Sequence, residues 1–388
     1  MSVTRAAGFT ASGVTAGLKP SGRPDLALVV NTGPQHVAAA VFTTNRVKAA
    51  PVLWSQQAVA DGRLQAVVLN SGGANACTGP AGFADTHRTA EHVAEVLSAG
   101  GTEVGAGDVA VCSTGLIGTR LPMDVLTAGV TAAAGALDEE GGADAARAIM
   151  TTDTVAKTAS YVDEGWSVGG MAKGAGMLAP GLATMLVVLT TDAVLDAEAA
   201  DEHLRRAVAT TFSRVDSDGC MSTNDTVVLM SSGASGVRPD PRDFAAALHE
   251  TCHDLAMQLL HDAEGSAHDI AVEVQHAASE EDALEVARAV ARSNLVKCAV
   301  FGGDPNWGRV LAALGTTGAD FEPDRVDVAF NGVEVCRDGA IGEDRSLVDL
   351  SGRDVRVSIN LRNGRAGATI WTNDLTYDYV KENAEYST

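Results

Sequence analysis

The residues with the clearest capacity for chemistry lie near the middle of this 388-residue chain, in the run Lys173-Gly174-Ala175-Gly176-Met177-Leu178-Ala179-Pro180-Gly181-Leu182-Ala183-Thr184-Met185-Leu186. A cation and two glycines come first, a proline-glycine turn follows, and a lone threonine then enters an apolar, β-like stretch. Scission of the Ala183–Thr184 bond would leave Thr184 with a hydroxyl nucleophile and a free α-amine on the same residue. The amine would serve as a built-in general base for its own hydroxyl. Self-cleavage at this bond is the central expectation from the residues.

Other stretches offer weaker signals. Ser113-Thr114-Gly115 follows a strand-like run, and a Thr-Gly turn there can aim backbone N–H groups and a hydroxyl at a developing oxyanion; alone, it reads as a turn. Gly174-Ala175-Gly176 with Ala179 imitates a dinucleotide-binding fingerprint. That motif should open a helix, whereas Pro180-Gly181 and a β-like run follow here. The glycines read better as close backbone approach or positive φ. His249-Glu250-Thr251-Cys252-His253 fits the HExxH zinc signature on a helix, with Glu264 or Glu273 available as a third ligand. The apolar stripe Phe244, Leu248, Cys252, Leu255, Leu259 instead describes an ordinary packed helix carrying two surface histidines. Met150-Thr151-Thr152-Asp153-Thr154 places a cluster of hydroxyls at a helix end. Phe301-Gly302-Gly303-Asp304-Pro305-Asn306-Trp307-Gly308-Arg309 reads as a strand–loop–helix corner.

The elements that must position these residues alternate along the chain. Short valine- and alanine-rich runs at 25–30, 37–42, 65–70 and 108–112 predict strands, and helical spacing covers 81–99 and 122–136. In the second half, 183–191 and 225–230 predict buried strands, and 196–211, 241–263 and 280–294 predict helices. Residues 354–361 and 368–372 predict a closing hairpin around Arg362-Asn363-Gly364. No low-complexity linker divides the chain. The pattern is that of an α/β protein with large, mostly covered sheets.

Composition narrows the function classes. The formal net charge is −22 and only six lysines are present, which disfavours nucleic acid and anionic membranes as partners. Six cysteines are scattered without a CxxC pair, as expected of free thiols in a reducing compartment. The first residues lack the apolar core of a signal peptide, and no run reaches membrane-spanning length. A cytoplasmic protein is expected.

Taken in order, these stretches resemble the ornithine acetyltransferase (glutamate N-acetyltransferase) family of the cyclic arginine pathway. The resemblance rests on Val41-Phe42-Thr43-Thr44-Asn45-Arg46 with Ala49-Ala50-Pro51-Val52, Asn70-Ser71-Gly72-Gly73-Ala74-Asn75-Ala76-Cys77-Thr78-Gly79, Ser113-Thr114-Gly115 and Met150 to Thr154. It continues through the 173–186 segment, Ser222-Thr223-Asn224-Asp225-Thr226, Asp304 to Arg309 and the terminal Tyr379 to Thr388. Two departures are local: the family usually carries Asn where Gly73 stands, and Asp218-Gly219-Cys220-Met221 is less acidic than the family form.

The resemblance implies a layered sandwich of helices around two stacked mixed sheets, of the ornithine acetyltransferase/aminopeptidase type. It implies autocatalytic cleavage between Ala183 and Thr184, giving an α chain (1–183) and a β chain (184–388) that stay intertwined as α2β2 or larger. Thr184 then carries acetyl from N-acetylornithine to glutamate, with Thr114 and Gly115 as the oxyanion pair. Thr151, Thr152, Lys173, Glu264, Asn383 and Thr388 match substrate-contacting positions, and the inward member of the Thr151–Thr152 pair is left open. No metal or other cofactor is implied. Some family members also make N-acetylglutamate from acetyl-CoA, and the residues do not separate the two kinds. The competing readings are a related N-terminal-nucleophile amidase or aminopeptidase, the HExxH zinc hydrolase, and a non-enzymatic relative.

Overall fold

The computed structural model describes residues 2–178 and 185–385. The chain divides into two compact units, one of residues 1–175, 181–213 and 221–259, the other of 176–180, 214–220 and 260–388. Ala183, Thr184 and Thr388 lie outside the described residues.

The first unit contains β1 (Phe9–Val14), β2 (Leu26–Asn31), β3 (Val37–Phe42), α1 (Ala50–Ala58), β4 (Ala66–Ser71), α2 (Gly79–Ala99), β5 (Val109–Thr114), α3 (Met123–Gly135) and α4 (Gly142–Ala148). It continues with β6 (Lys157–Asp163), β7 (Trp166–Lys173), β8 (Leu186–Thr191), α5 (Ala197–Thr210), β9 (Thr226–Ser231) and most of α6 (Pro241–His261). Two sheets result, ordered β1-β2-β4-β5 and β3-β9-β8-β7-β6. Strand alternation explains why they stack. In β2, β4 and β5, Ala27, Val29, Val67, Leu69, Ala110 and Cys112 face a core shared with Met171, Leu186, Val188, Val228 and Met230 of the second sheet. The intervening Leu26, Leu28, Val30, Val68, Val109 and Val111 face the opposite way, onto Val93, Leu97, Leu126 and Val130 of α2 and α3. Both faces of these strands are therefore apolar, which is why they read as continuous valine-rich runs. Each fully buried Val or Leu contributes about 1.5–3 kcal/mol. On the far side of the second sheet, Phe244 of α6 stacks against Trp166 at 5.6 Å, and Gln258 brackets the backbone of Thr158. The unit is thus a layered helix–sheet–sheet–helix sandwich, as expected.

The second unit holds one mixed sheet built from β10 (Asp269–Ala277), β11 (Asp327–Phe330), β12 (Val333–Arg337), β13 (Ala340–Ile341), β14 (Asp354–Asn360) and β15 (Ala366–Asn373), ordered β13-β12-β11-β14-β10-β15. Helices α7 (Glu280–Ala291), α8 (Asn294–Phe301) and α9 (Trp307–Leu314) pack on it through Val286, Val290, Val296, Val300 and Val310, and α10 (Tyr377–Glu385) ends the described chain.

Three expectations are corrected. The 354–361 and 368–372 runs are strands but not a hairpin. β10 lies between them, parallel to β14 and antiparallel to β15. The helix expected over 280–294 ends at Ala291, because Ser293 caps a new helix by accepting from Val296 N. The 301–309 corner consequently links two helices, the second capped by Asn306, which accepts from Arg309 N at 3.2 Å. The run 183–191 is described as a strand only from Leu186. All six cysteines are free.

Candidate active site

The register of the second sheet brings distant parts of the sequence to one end. Lys173, the last residue of β7, is opposite Leu186, the first of β8, and Leu186 is opposite Thr226, the first of β9. Thr184 precedes this edge by two residues. In the stacked first sheet, β4 and β5 end together at Ser71 and Thr114.

Lys173 is 1% exposed, although a lone buried ammonium is costly. Its Nζ donates to Thr151 Oγ1 at 2.7 Å and to Thr114 Oγ1 at 3.3 Å. This hydroxyl contact places Thr151 rather than Thr152 against Lys173. The Asp153 carboxylate supplies the balancing charge. Its Oδ1 accepts from Lys157 Nζ and Gly174 N, each at 2.7 Å, and its Oδ2 accepts from Thr151 N at 2.9 Å and lies 4.0 Å from Lys173 Nζ. Burial alone would raise the carboxyl pKa of Asp153, but the charges of Lys173 and Lys157, with hydrogen bonds from Lys157 and the Thr151 N–H, outweigh it and bring it down to about 2. Lys19 adds a third cation to this neighbourhood. Burial, Arg23 and Lys173 lower its pKa to about 8, and its Nζ donates to Pro24 O and Met150 O.

The Thr114–Gly115 turn is held from both sides. Ser113 Oγ donates to Asn70 Oδ1 at 2.6 Å, Asn70 Nδ2 donates to Gly73 O, and Gly73 N donates to Thr114 O. Asn224, 5% exposed, donates from one amide nitrogen to Ala74 O at 2.6 Å and Ser113 O at 2.8 Å. Gly115 has φ +130°, and a Cβ there would fall 2.8 Å from Gly73 N. The turn therefore requires glycine. Next to Asn224, Asp225 is fully buried and its Oδ1 accepts from Met185 N at 3.1 Å. Burial raises its carboxyl pKa well above the ordinary range, only partly opposed by that N–H. A buried carboxyl thus anchors the residue that follows Thr184 in the sequence.

In the second unit, Glu264 Oε2 accepts from Asn383 Nδ2 at 3.0 Å, bringing two further predicted residues together. α10, which carries Asn383, is tied to the Glu264 turn because Thr376 Oγ1 donates to Gly265 O and accepts from Tyr379 N. Gly176 and Met177, which precede Ala183 and Thr184 in the sequence, run beside them. A Cβ on Gly176 would lie 2.6 Å from the Glu264 carboxylate, and Met177 N donates to Asp218 Oδ2 at 2.7 Å. Asp218, Glu264, Lys297 and Tyr379 line a cavity of about 150 Å³. Burial, then the negative charges of Asp218, Cys220 and Glu264, push the Tyr379 phenol up to about 12. This cavity thus carries charges of both signs.

The HExxH reading finds no support from geometry. His249 is exposed and its ring stacks on that of half-buried His253 at 6.2 Å. Of the two carboxylates proposed as third ligand, Glu273 pairs with Arg356 and Glu264 with Asn383. Among the described residues no three His, Cys, Asp or Glu side chains converge as a metal-binding set.

Asp153, Lys157, Asn224 and Asp225 are site residues to which the sequence assigned no role. The signal was present, since three of them fall inside motifs already singled out (150–154 and 222–226) and Lys157 lies four residues past Asp153.

Comparison with known proteins places the chain. Residues 10–388 match the ArgJ family. The arginine biosynthesis bifunctional protein ArgJ of Streptomyces coelicolor is 65% identical over 387 residues, spanning 100% of both chains. Its namesake in Thermobifida fusca is 61% identical over 388 residues, again covering 100% of both. Among solved structures, an ornithine acetyltransferase of Mycobacterium tuberculosis in complex with ornithine is 62% identical, with TM-score 0.46, and the match covers 48% of this chain and 96% of that one. By sequence over nearly its whole length, the chain belongs to the ArgJ family.

Proposed function

We propose that this chain is a self-processing acetyltransferase that moves acetyl from N-acetylornithine to glutamate in arginine biosynthesis, through an acetyl ester on Thr184. The names of its relatives support the pathway. The observation that carries the chemistry is the buried Lys173–Thr151–Thr114 cluster at the sheet edge that the residues after Thr184 enter.

In processing, Thr184 Oγ attacks the Ala183 carbonyl carbon. The Oγ–C bond forms, the C–N bond breaks, and the hydroxyl proton passes to the departing nitrogen. Water then opens the ester, leaving chains 1–183 and 184–388. In turnover, the new α-amine, with an ordinary pKa of about 7.7–8.0, takes the hydroxyl proton as Thr184 attacks the acetyl group. Thr114 and Gly115 stabilise the oxyanion, a role typically worth about 3–4 kcal/mol. Ornithine leaves with a proton; the glutamate amine then attacks the acetyl ester, its N–C bond forms as the Oγ–C bond breaks, and its proton returns to Thr184 Oγ through the α-amine, releasing N-acetylglutamate. Lys173 meets the substrate carboxylate as a point charge, braced by Thr151. Glu264, Asn383 and Thr388 complete substrate binding, with Glu264 orienting an amine.

Relatives are named bifunctional, which favours a second activity with acetyl-CoA as donor to glutamate. Among the described residues no helix is long and apolar enough to cross a membrane. A cytoplasmic α2β2 assembly is proposed on the family resemblance. Intact-mass analysis before and after N-acetylornithine tests the reading. Two chains are expected, with an acetyl adduct on the one beginning at Thr184. Thr184→Ala should remain one inactive chain, and normal turnover by that variant would overturn the nucleophile assignment.

A further inference from the structure

The loop 15–25 that joins β1 to β2 carries a half-buried ammonium, Lys19, beside the Lys173 cluster. Its Nζ donates to Pro24 O at 2.8 Å and to Met150 O at 2.6 Å, which leaves one of its three N–H bonds for another acceptor. Among the described residues no Asp or Glu forms an ion pair with it. Asp25, at the end of the same loop, is fully buried and spends its carboxylate on four backbone N–H groups. Its Oδ1 accepts from Ala16 at 2.7 Å, and its Oδ2 from Gly17, Leu18 and Lys19 at 3.1, 2.6 and 2.9 Å. Charge-assisted bonds of this kind fix the loop backbone, and with it the direction from which Lys19 projects.

The loop abuts the site. A Cβ on Gly72 would lie 2.6 Å from Leu18 Cβ, and Gly72 adjoins Gly73, against which Gly115 turns. Met150, which holds Lys19, is followed by Thr151, which Lys173 bonds. Burial and the charge of Arg23 do most to lower the Lys19 pKa to about 8; Asp25 and Asp153 oppose them, and the charge of Lys173 reaches it too. The two substrates of the proposed reaction share an α-carboxylate but end differently, ornithine in an ammonium and glutamate in a second carboxylate. Lys173 is assigned to the shared group and Glu264 to an amine. Neither answers the second carboxylate.

We propose that Lys19 is a specificity-determining residue whose remaining N–H receives the side-chain carboxylate of the acceptor glutamate, while Lys173 holds the α-carboxylate. The inference deepens the reading of this site as an acetyltransferase to glutamate and rests on it. A bound carboxylate also offsets the cost of keeping a half-buried ammonium charged.

Glutamine is the probe, since it matches glutamate in length and has no charge at its end. The acceptor half-reaction is followed as N-acetylglutamate or N-acetylglutamine formed from the acetyl-enzyme, on protein shown by intact mass to be processed. In the parent, the ratio of kcat/KM for glutamate to that for glutamine should fall as pH rises through about 8, where Lys19 loses its proton. The acceptor amine and the Thr184 amine titrate nearly alike with both acceptors and cancel from the ratio. Lys19→Met should lower kcat/KM for glutamate about tenfold or more, chiefly through KM, the scale of a hydrogen bond to a charged group. It should leave the use of glutamine and the KM for N-acetylornithine nearly unchanged, and make the ratio independent of pH. Lys19→Arg, which keeps the charge, should keep most of the preference for glutamate. A ratio that ignores pH in the parent, or one unchanged in Lys19→Met, would overturn the proposal. Equal losses with all three substrates would do the same, because they mark a loop that only supports the fold. Where Lys19→Met does not fold, the pH profile of the parent decides. Where the parent does not use glutamine, the KM for glutamate in Lys19→Met decides against that for N-acetylornithine. Absence of acetyl transfer to either acceptor defeats the acetyltransferase reading itself, whereas transfer to glutamate with an unmoved ratio defeats only the present inference.

Discussion

At the scale of single residues, burial decides what each charge can do. Asp153 is held near pKa 2, below its ordinary 3.8. The unfolded chain therefore binds the proton first on acidification. The stabilisation is complete above about pH 4 and is lost as pH falls through about 2; a shift of this size corresponds to ~2 kcal/mol. Acid titration followed by circular dichroism should show this loss in the parent protein, and Asp153→Asn should lack that part of the curve. Asp225 has the opposite shift, upward by burial, and Asn keeps an acceptor oxygen of the same reach at this position. Asp225→Asn should change the melting temperature little, whereas Asp225→Ala should lower it by removing the acceptor of Met185 N–H; calorimetry checks the pair. Lys173, Thr114 and the Thr151–Thr152 pair were named through the family resemblance, and the structure brings Lys173, Thr114 and Thr151 into contact. Asp153 and Lys157 were given no role although Asp153 stands inside a singled-out motif, since a Lys and an Asp four residues apart also describe a solvated helix face. Only the structure shows both side chains buried.

At the scale of elements, the site depends on where strands stop. β5 ends at Thr114, and Gly115 turns with φ +130° against the Gly73 backbone. Gly115→Ala should lower kcat by about a hundredfold or more, the cost of displacing an oxyanion donor. It should leave the chain folded, because the stacked sheets are undisturbed; single-turnover kinetics and a melting curve measure the two effects. The valine-rich strands and the amphipathic helices were readable from periodicity. The β6–β7 hairpin was not: β7 is buried throughout yet reads Ser167, Gly169, Gly170 and Lys173, too polar and too glycine-rich to signal a strand. The partnering of β14 and β15 was misread because a short turn at Arg362 suggested adjacency. Pairing across a sheet is a non-local choice, and β10, some eighty residues earlier, takes the place between them.

At the scale of the whole molecule, the two-sheet sandwich was expected from the strand and helix pattern together with the family resemblance. The division into two compact units was not, because the second unit recruits residues 176–180 and 214–220 from within the stretch of sequence that otherwise builds the first. The order β3-β9-β8-β7-β6 has a further consequence. Under the proposed scission, β3, β7 and β6 come from the first product and β9 and β8 from the second, so one ladder alternates between polypeptides. The products should migrate as one species in a native gel and as two in denaturing gel.

That interleaving makes the order of events irreversible. The precursor can rebuild its ladder by a first-order search along a single thread, but a nicked molecule, once melted, must reunite two separate solutes. Recovery of the processed protein from denaturant should therefore slow on dilution, while Thr184→Ala should recover at a rate independent of concentration. Under the proposed scission the cut would be a one-way door, and heat or chaotrope would leave the mature enzyme dependent on collision to return.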